Sequence, residues 1–166
     1  MSADSVQTYG PELLAIEGPL AVQAEATFTA VQNARLLYVN PGRNIGNPMF
    51  WGTYGEVSYI LTGEHRGYDK RLGTYDRIKV KNNAGWSPNG PCGWGAWQVA
   101  YRYSYLDLND TGIQGGVLQQ HTFGLNWYLN DNAKIQFNYT NIYRDVTAPA
   151  VAGTVNGFGV LVQYYF

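Results

Sequence analysis

The chain has 166 residues, 14% of them charged, and 12 acidic against 11 basic side chains give a net charge of −1, so no global positive field is offered to nucleic acid. Aromatics reach 15% and glycines number 20; that wealth of aromatics at low charge excludes a disordered chain, and no apolar run reaches the ~18 residues of a membrane-spanning helix. One cysteine, Cys92, allows neither an internal disulfide nor a cysteine-based zinc site.

Met1 to Gly10 reads MSADSVQTYG, with no basic region and no apolar region, so no secretory signal is expected in it. No repeat and no linker divides the chain, and residues 1–166 are expected to form one unit. Helix signals are almost absent, whereas apolar residues recur at every second position. A short strand near Glu12 to Ile16 enters the turn Glu17-Gly18-Pro19. Leu20, Val22, Ala24, Ala26 and Phe28 then oppose Ala21, Gln23, Glu25 and Thr27, and Trp51, Thr53, Gly55, Val57 and Tyr59 oppose Tyr54, Glu56 and Ser58. Tyr75 to Val80 is a candidate extra strand. Trp97, Val99, Tyr101, Tyr103 and Tyr105 alternate with Gln98, Ala100, Arg102 and Ser104. Phe123, Leu125, Trp127 and Leu129 follow, then Ile135, Phe137 and Tyr139, then Phe158, Val160, Val162, Tyr164 and Phe166. In a strand each such set points to one face, so seven strands are expected, or eight with Tyr75 to Val80.

Two architectures share this alternation. A soluble barrel or sandwich turns its apolar face inward, whereas an outer-membrane barrel turns it to lipid and lines its lumen with polar residues. The polar sets are mostly Gln, Asn, Ser, Thr and Gly. A water-exposed sheet face usually carries many charges, and a lumen does not need them. Tyr and Trp also gather near strand ends, as in membrane girdles. The expected fold is therefore all-β, an antiparallel transmembrane β-barrel in contact with a lipid bilayer. A soluble ligand-binding barrel is the competing architecture.

The last strand, with Phe158, Val160, Val162, Tyr164 and the terminal Phe166, resembles the C-terminal signal by which the barrel-assembly machinery recognises bacterial outer-membrane proteins. Further segments resemble the phosphate-selective porins O and P: Glu17-Gly-Pro-Leu-Ala-Val-Gln-Ala-Glu25, Gly55-Glu-Val-Ser-Tyr-Ile-Leu-Thr-Gly-Glu64 followed by Arg66 and Tyr68, Gly95 through Asp110, Gly115-Gly116, and Thr122-Phe-Gly-Leu-Asn-Trp-Tyr-Leu-Asn130. The resemblance covers the C-terminal part of a sixteen-stranded barrel. It implies a bacterial outer-membrane porin that passes small anions, phosphate or polyphosphate, by passive diffusion, without catalysis or cofactor, with a homotrimer among the assemblies to test. Because an open sheet edge cannot be satisfied in lipid, the sequence is expected to be a piece of a larger barrel.

The turns at Glu17-Gly18-Pro19 and Asn130 to Ala133 are short, as periplasmic turns are. Four strands separate them, so residues 62–95 are expected to be a long excursion on the periplasmic side. This stretch holds Arg66, Lys70, Arg71, Arg77, Lys79 and Lys81, six of the 11 cations, against Glu64, Asp69 and Asp76. Arg77, Lys79 and Lys81 at period two would share one face of an extended chain, and rows of Arg and Lys select anions in pores. Arg102, on the polar face of its strand, is a further anion-pathway candidate. The bland alternative is a solvated loop beside a Lys-protected edge strand. At the level of the whole protein, the alternative is a non-conducting structural or adhesive outer-membrane barrel.

Other constellations are weaker. His65 and His121 are too far apart to suggest a metal pair, and no metal site is expected. Asp107, Asn109 and Asp110 suit calcium through oxygen ligands but suit an Asx turn better. Ser104 with His121 is a loose nucleophile–base pairing, and Gly90 to Gly95 reads as a turn that holds an inert Cys92.

Overall fold

The computed structural model describes residues 2–35, 42–87, 90–110, 112–146 and 152–166. Alternating side chains sort onto two faces once strands pair edge to edge, and eight of the described strands do so in one antiparallel sheet, beside three short two-stranded pairings. Its members are β1 (Ser5–Tyr9), β2 (Glu12–Glu17), β3 (Leu20–Gln32), β4 (Met49–Ile60), β5 (Ala96–Asp110), β6 (Ile113–Tyr128), β7 (Ala133–Asp145) and β8 (Gly153–Tyr164). The spatial order is β1-β3-β4-β5-β6-β7-β8, with β2 also paired to β3. β1 and β2 follow one register, Tyr9 opposite Phe28 and Glu12 opposite Glu25. They act as a single strand interrupted at Gly10-Pro11. Pro11 has no N–H to give, yet its carbonyl accepts Ala26 N at 3.1 Å, the arrangement an edge strand tolerates. A Cβ on Gly10 would lie 2.3 Å from the Ala26 carbonyl oxygen. The sheet is thus seven strands across, as the alternation indicates, and it is open: β1/β2 and β8 lie at opposite edges.

The registers carry the two faces across the sheet. Gln98 lies opposite Ile60 and Asn126, and Arg102 lies opposite Glu56 and Thr122, so one face is polar. On the other face, Tyr101, Phe123, Tyr139 and Phe158 stand in register on four successive strands, with ring centroids 5.0, 6.5 and 5.1 Å apart. Trp97 and Trp127 stack at 5.1 Å four residues along, where β5 begins and β6 ends, both donating Nε1–H to the Trp94 carbonyl at 3.2 and 2.7 Å. Between these aromatic levels Val99, Leu125, Phe137 and Val160 stay exposed. An apolar face of this extent, bordered by amphipathic rings, suits lipid better than water.

Residues 18–19, 61–95 and 129–132 all leave the sheet at one end, which we term the near end. Gly18, at φ 57°, makes the first turn. Asn130 makes the third, its Oδ1 accepting the backbone N–H groups of Asn132 and Ala133 at 2.9 Å each. Between Arg66 and Val80 the chain folds back onto the polar face, where Ile78 buries against Ile60 and Ala96, flanked by Val80 and Tyr128.

The strand expected at Tyr75 to Val80 does not form. Thr74–Tyr75 pairs for two residues with Tyr68–Asp69, and 76–80 join no ladder. The alternation there has another cause: Ile78 is buried and Val80 half-buried against the sheet, while Arg77, Lys79 and Lys81 remain exposed. Val80 N–H is satisfied by Asp131 Oδ1 at 2.8 Å instead of by a neighbouring strand.

Candidate functional site on the polar face

The polar face is built around Gln98, which is 1% exposed. Its Oε1 accepts from Arg66 Nη2 at 3.0 Å, Asn126 Nδ2 at 2.9 Å and Tyr128 OH at 3.0 Å. β5 and β6 supply three of these groups because their polar sets coincide in register, and segment 61–95 supplies Arg66. The Arg66 guanidinium also lies 4.4 Å from the Tyr75 ring centre and donates to the Tyr128 hydroxyl at 3.3 Å. Its Nε is buried without a protein partner among the described residues. Burial raises the Tyr75 hydroxyl above the ordinary tyrosine value, with Arg66 opposing, so at neutral pH it is an intact O–H beside the cation.

Next to Arg66 lies a cavity of about 280 Å³ between segment 61–95, the 129–132 turn and Tyr165. Three cations line it, each set over a tyrosine ring: Arg66 over Tyr75, Arg77 over Tyr165 at 4.8 Å, and Lys134 over Tyr128 at 5.8 Å. Asp76 and Asp131 also line it, but their Oδ1 atoms accept the backbone N–H groups of Arg77 and Val80. None of the three cations pairs with a carboxylate among the described residues, where the sole ion pair is Arg102–Glu56. Cations held over aromatic faces keep their charge available to a small anion.

Sequence reasoning missed Lys134. Its position was readable: stepping back two residues from Gln136 along the polar set of β7 reaches it.

The other candidates divide. Arg102 sits mid-wall, with Nη2 2.7 Å and Nε 2.8 Å from Glu56 Oε2 and the Tyr54 ring 4.3 Å from its guanidinium. Lys81 Nζ donates to the Gly63 carbonyl at 2.7 Å and its N–H to Glu64 Oε1 at 3.4 Å. Glu64 itself, 3% exposed, also accepts from the Thr62 hydroxyl. Lys81 therefore fastens the segment to itself. Lys70, Arg71 and Lys79 are exposed; the backbone of Arg71 is capped by Asp69 Oδ1 at 2.8 Å, and none of the three lines the cavity. The row Arg77-Lys79-Lys81 is thus split, with Arg77 alone at the cavity.

Phe158, Val160, Val162, Tyr164 and Phe166 share the apolar face and are all exposed, Phe158 at 88%. Tyr164 and Phe166 meet edge-on at 5.1 Å.

The remaining constellations dissolve. Asp107 Oδ1 accepts Asn109 N at 2.9 Å and Nδ2 at 3.0 Å, an Asx turn, and Asp110 bonds Met49 N. No metal-holding group of three His, Cys, Asp or Glu occurs among the described residues. Ser104 cannot serve His121, because Ser104 pairs with Gln120 on the polar face while His121 lies on the apolar face with its Nδ1 2.8 Å from Tyr101 OH. The side chain of Cys92 lies outside the described residues.

Comparison with known proteins agrees with this arrangement. The family model for phosphate-selective porin O and P matches residues 1–166. An uncharacterized protein of Caulobacter vibrioides is 40% identical over 92 residues, covering 55% of this chain and 17% of its own. Porin O of Pseudomonas aeruginosa is 30% identical over 125 residues, covering 69% of this chain and 26% of its own. The chain therefore spans about a quarter or less of these curated relatives. An antiparallel sheet with a lipid-suited aromatic face, a polar wall carrying unpaired cations, and a family match along its full length together make this chain a member of the phosphate-selective porin O and P family.

Proposed function

We propose that the chain forms part of the wall and the near-end floor of an anion channel. Family membership places it in the bacterial outer membrane and points to a channel rather than an enzyme. On this reading the near end is periplasmic, the polar face lines the lumen, and segment 61–95 narrows it. Inorganic phosphate, or polyphosphate, diffuses passively past Arg66, Arg77 and Lys134. The observation that carries the reading is the convergence of these three cations on one cavity, each over a tyrosine ring and none in an ion pair among the described residues. The terminal alternation from Phe158 to Phe166 is read as the signal for the barrel-assembly machinery, and a homotrimer as the assembly to test.

Phosphate block of chloride current in planar bilayers tests the reading. Added phosphate should lower the chloride current of the parent protein. The Arg66→Gln/Lys134→Gln variant should conduct with the block weakened several-fold, and a block unchanged in that variant would reject the cavity as the anion site.

A second reading, a non-conducting structural barrel, draws on the packing of Ile78 against Ile60 and Ala96, which covers the near end of the polar face. It requires no conductance from correctly folded protein.

A further inference from the structure

Arg102 is placed to be an anion site and is not free to act as one. It stands mid-wall on the polar face, beside a cavity of about 310 Å³ whose other lining includes the uncharged Gln120, Thr122, Asn126, Gln136 and Asn138. The strand register sets Glu56 directly opposite. Arg102 directs both Nε and Nη2 to the single oxygen Glu56 Oε2, at 2.8 and 2.7 Å, and lies 4.3 Å from the Tyr54 ring centre. The charge of Arg102 is therefore cancelled by Glu56, on a face that also carries Glu25 and Glu12 on the neighbouring strands.

Half-exposed pairs of this kind are weak. The two side chains are 41% and 22% exposed, and water screens such a pair to well within reach of a competing oxyanion. Phosphate presents several oxygens to a planar guanidinium and binds it bidentately. The carboxylate of Glu56 and a passing phosphate are thus alternative partners for one cation.

On the anion-channel reading, we propose that Glu56 is a specificity-determining residue. It occupies Arg102 and so suppresses a second oxyanion site on the wall, distinct from the Arg66–Arg77–Lys134 cavity. Neutralising Glu56 unmasks that site. Were Glu56 merely a negative charge near the path, its removal would help anions whether or not Arg102 were present, and that difference separates the two roles.

The test is binding of inorganic phosphate to the detergent-refolded chain, followed by phosphorus NMR line broadening, in a double-mutant cycle. Glu56→Gln is nearly isosteric and leaves the ladder between β4 and β5 intact, so it should fold; loss of the heat-modifiable band would identify a variant that does not, and Glu56→Asp, which shortens the reach to Arg102, then takes its place. Glu56→Gln should bind phosphate roughly two- to fivefold more tightly than the parent, the range expected for releasing a partly exposed pair. In an Arg102→Gln background the same change should alter binding by less than about twofold. Equal affinity in parent and Glu56→Gln overturns the proposal, and so does an equal gain with and without Arg102. Absence of phosphate binding by the parent counts instead against the near-end cavity, since the gain on removing Glu56 is measured independently of it.

Discussion

Arg66 Nη2 lies 3.0 Å from Gln98 Oε1, so a residue of the near-end segment is hydrogen-bonded to a side chain on the wall of the sheet that is 1% exposed. That bond fixes a cation on the polar face rather than leaving it in a solvated loop. Loops tethered only by solvated contacts open readily. Segment 61–95 has in addition the buried contact of Ile78 and the capture of Val80 N–H by Asp131.

Replacing Gln98 by Leu removes an acceptor on which Arg66, Asn126 and Tyr128 all converge. Buried donors left without a partner cost on the order of 1–3 kcal/mol each when they cannot reach water. Urea unfolding of detergent-refolded protein should show a lowered midpoint. An unchanged midpoint would mean that the three donors find water.

Ile78 anchors the segment without a strand partner. Ile78→Ala should loosen it at a cost of ~2 kcal/mol or less, the low end for a truncated buried aliphatic side chain, because the site is shallow. Limited trypsin digestion should then cut faster after Lys79 and Lys81 while the sheet resists. Equal cutting rates in parent and variant would show that the segment is held by Arg66 and Asp131 alone.

Gly116 adopts φ 88°, and a Cβ there would fall 2.3 Å from Val146 Cγ1 and 2.8 Å from the Asp145 carbonyl oxygen. Its N–H caps Asn109 Oδ1 at 2.9 Å, beside the register shift between Asp107 and Asn109. Gly116→Ala combines left-handed strain with a clash and should destabilise by roughly 1–3 kcal/mol. Thermal loss of the folded band on gels measures it; a shift no larger than that of Gly112→Ala, where nothing lies within 4 Å, would leave strain alone as the cause.

Tyr75 gives an alkaline signature. Its hydroxyl titrates above the ordinary 10.0, through burial first, with Arg66 opposing. A folded value raised above the unfolded one means that the folded state holds the proton more tightly. Stability is therefore intact below pH ~10 and lost as pH rises from there through the folded value. Tyr75→Phe should flatten that alkaline fall in a pH series of urea midpoints. An identical fall in the variant would assign it to other tyrosines.

Most of the sheet was legible because period two has one reading when repeated on neighbouring segments. Trp97 through Tyr105 alternates without a break, and the strand spans Ala96–Asp110. Ser5–Tyr9 escaped notice because its two apolar markers, Val6 and Tyr9, stand three residues apart and break period two, and it gains its register from β3. Tyr75 to Val80 misled because a strand and an extended segment pressed on a sheet bury every second side chain alike.

The site was half legible. Arg66 and Arg77 stand out as cations in a neutral chain, but sequence spacing does not reveal that Lys134 joins them from a different element. Nor does it reveal that Arg102 is cancelled by Glu56, which is 46 residues away in sequence and adjacent only through the ladder.

The most direct measurement is the reversal potential in a KCl gradient across planar bilayers, compared between the parent protein and the Arg66→Gln/Arg77→Gln/Lys134→Gln variant. If these three cations form the anion path, the parent is anion-selective and the variant moves toward zero or cation selectivity with its conductance retained. Unchanged anion selectivity in a conducting variant would contradict the assignment and move the selective charges elsewhere in the barrel.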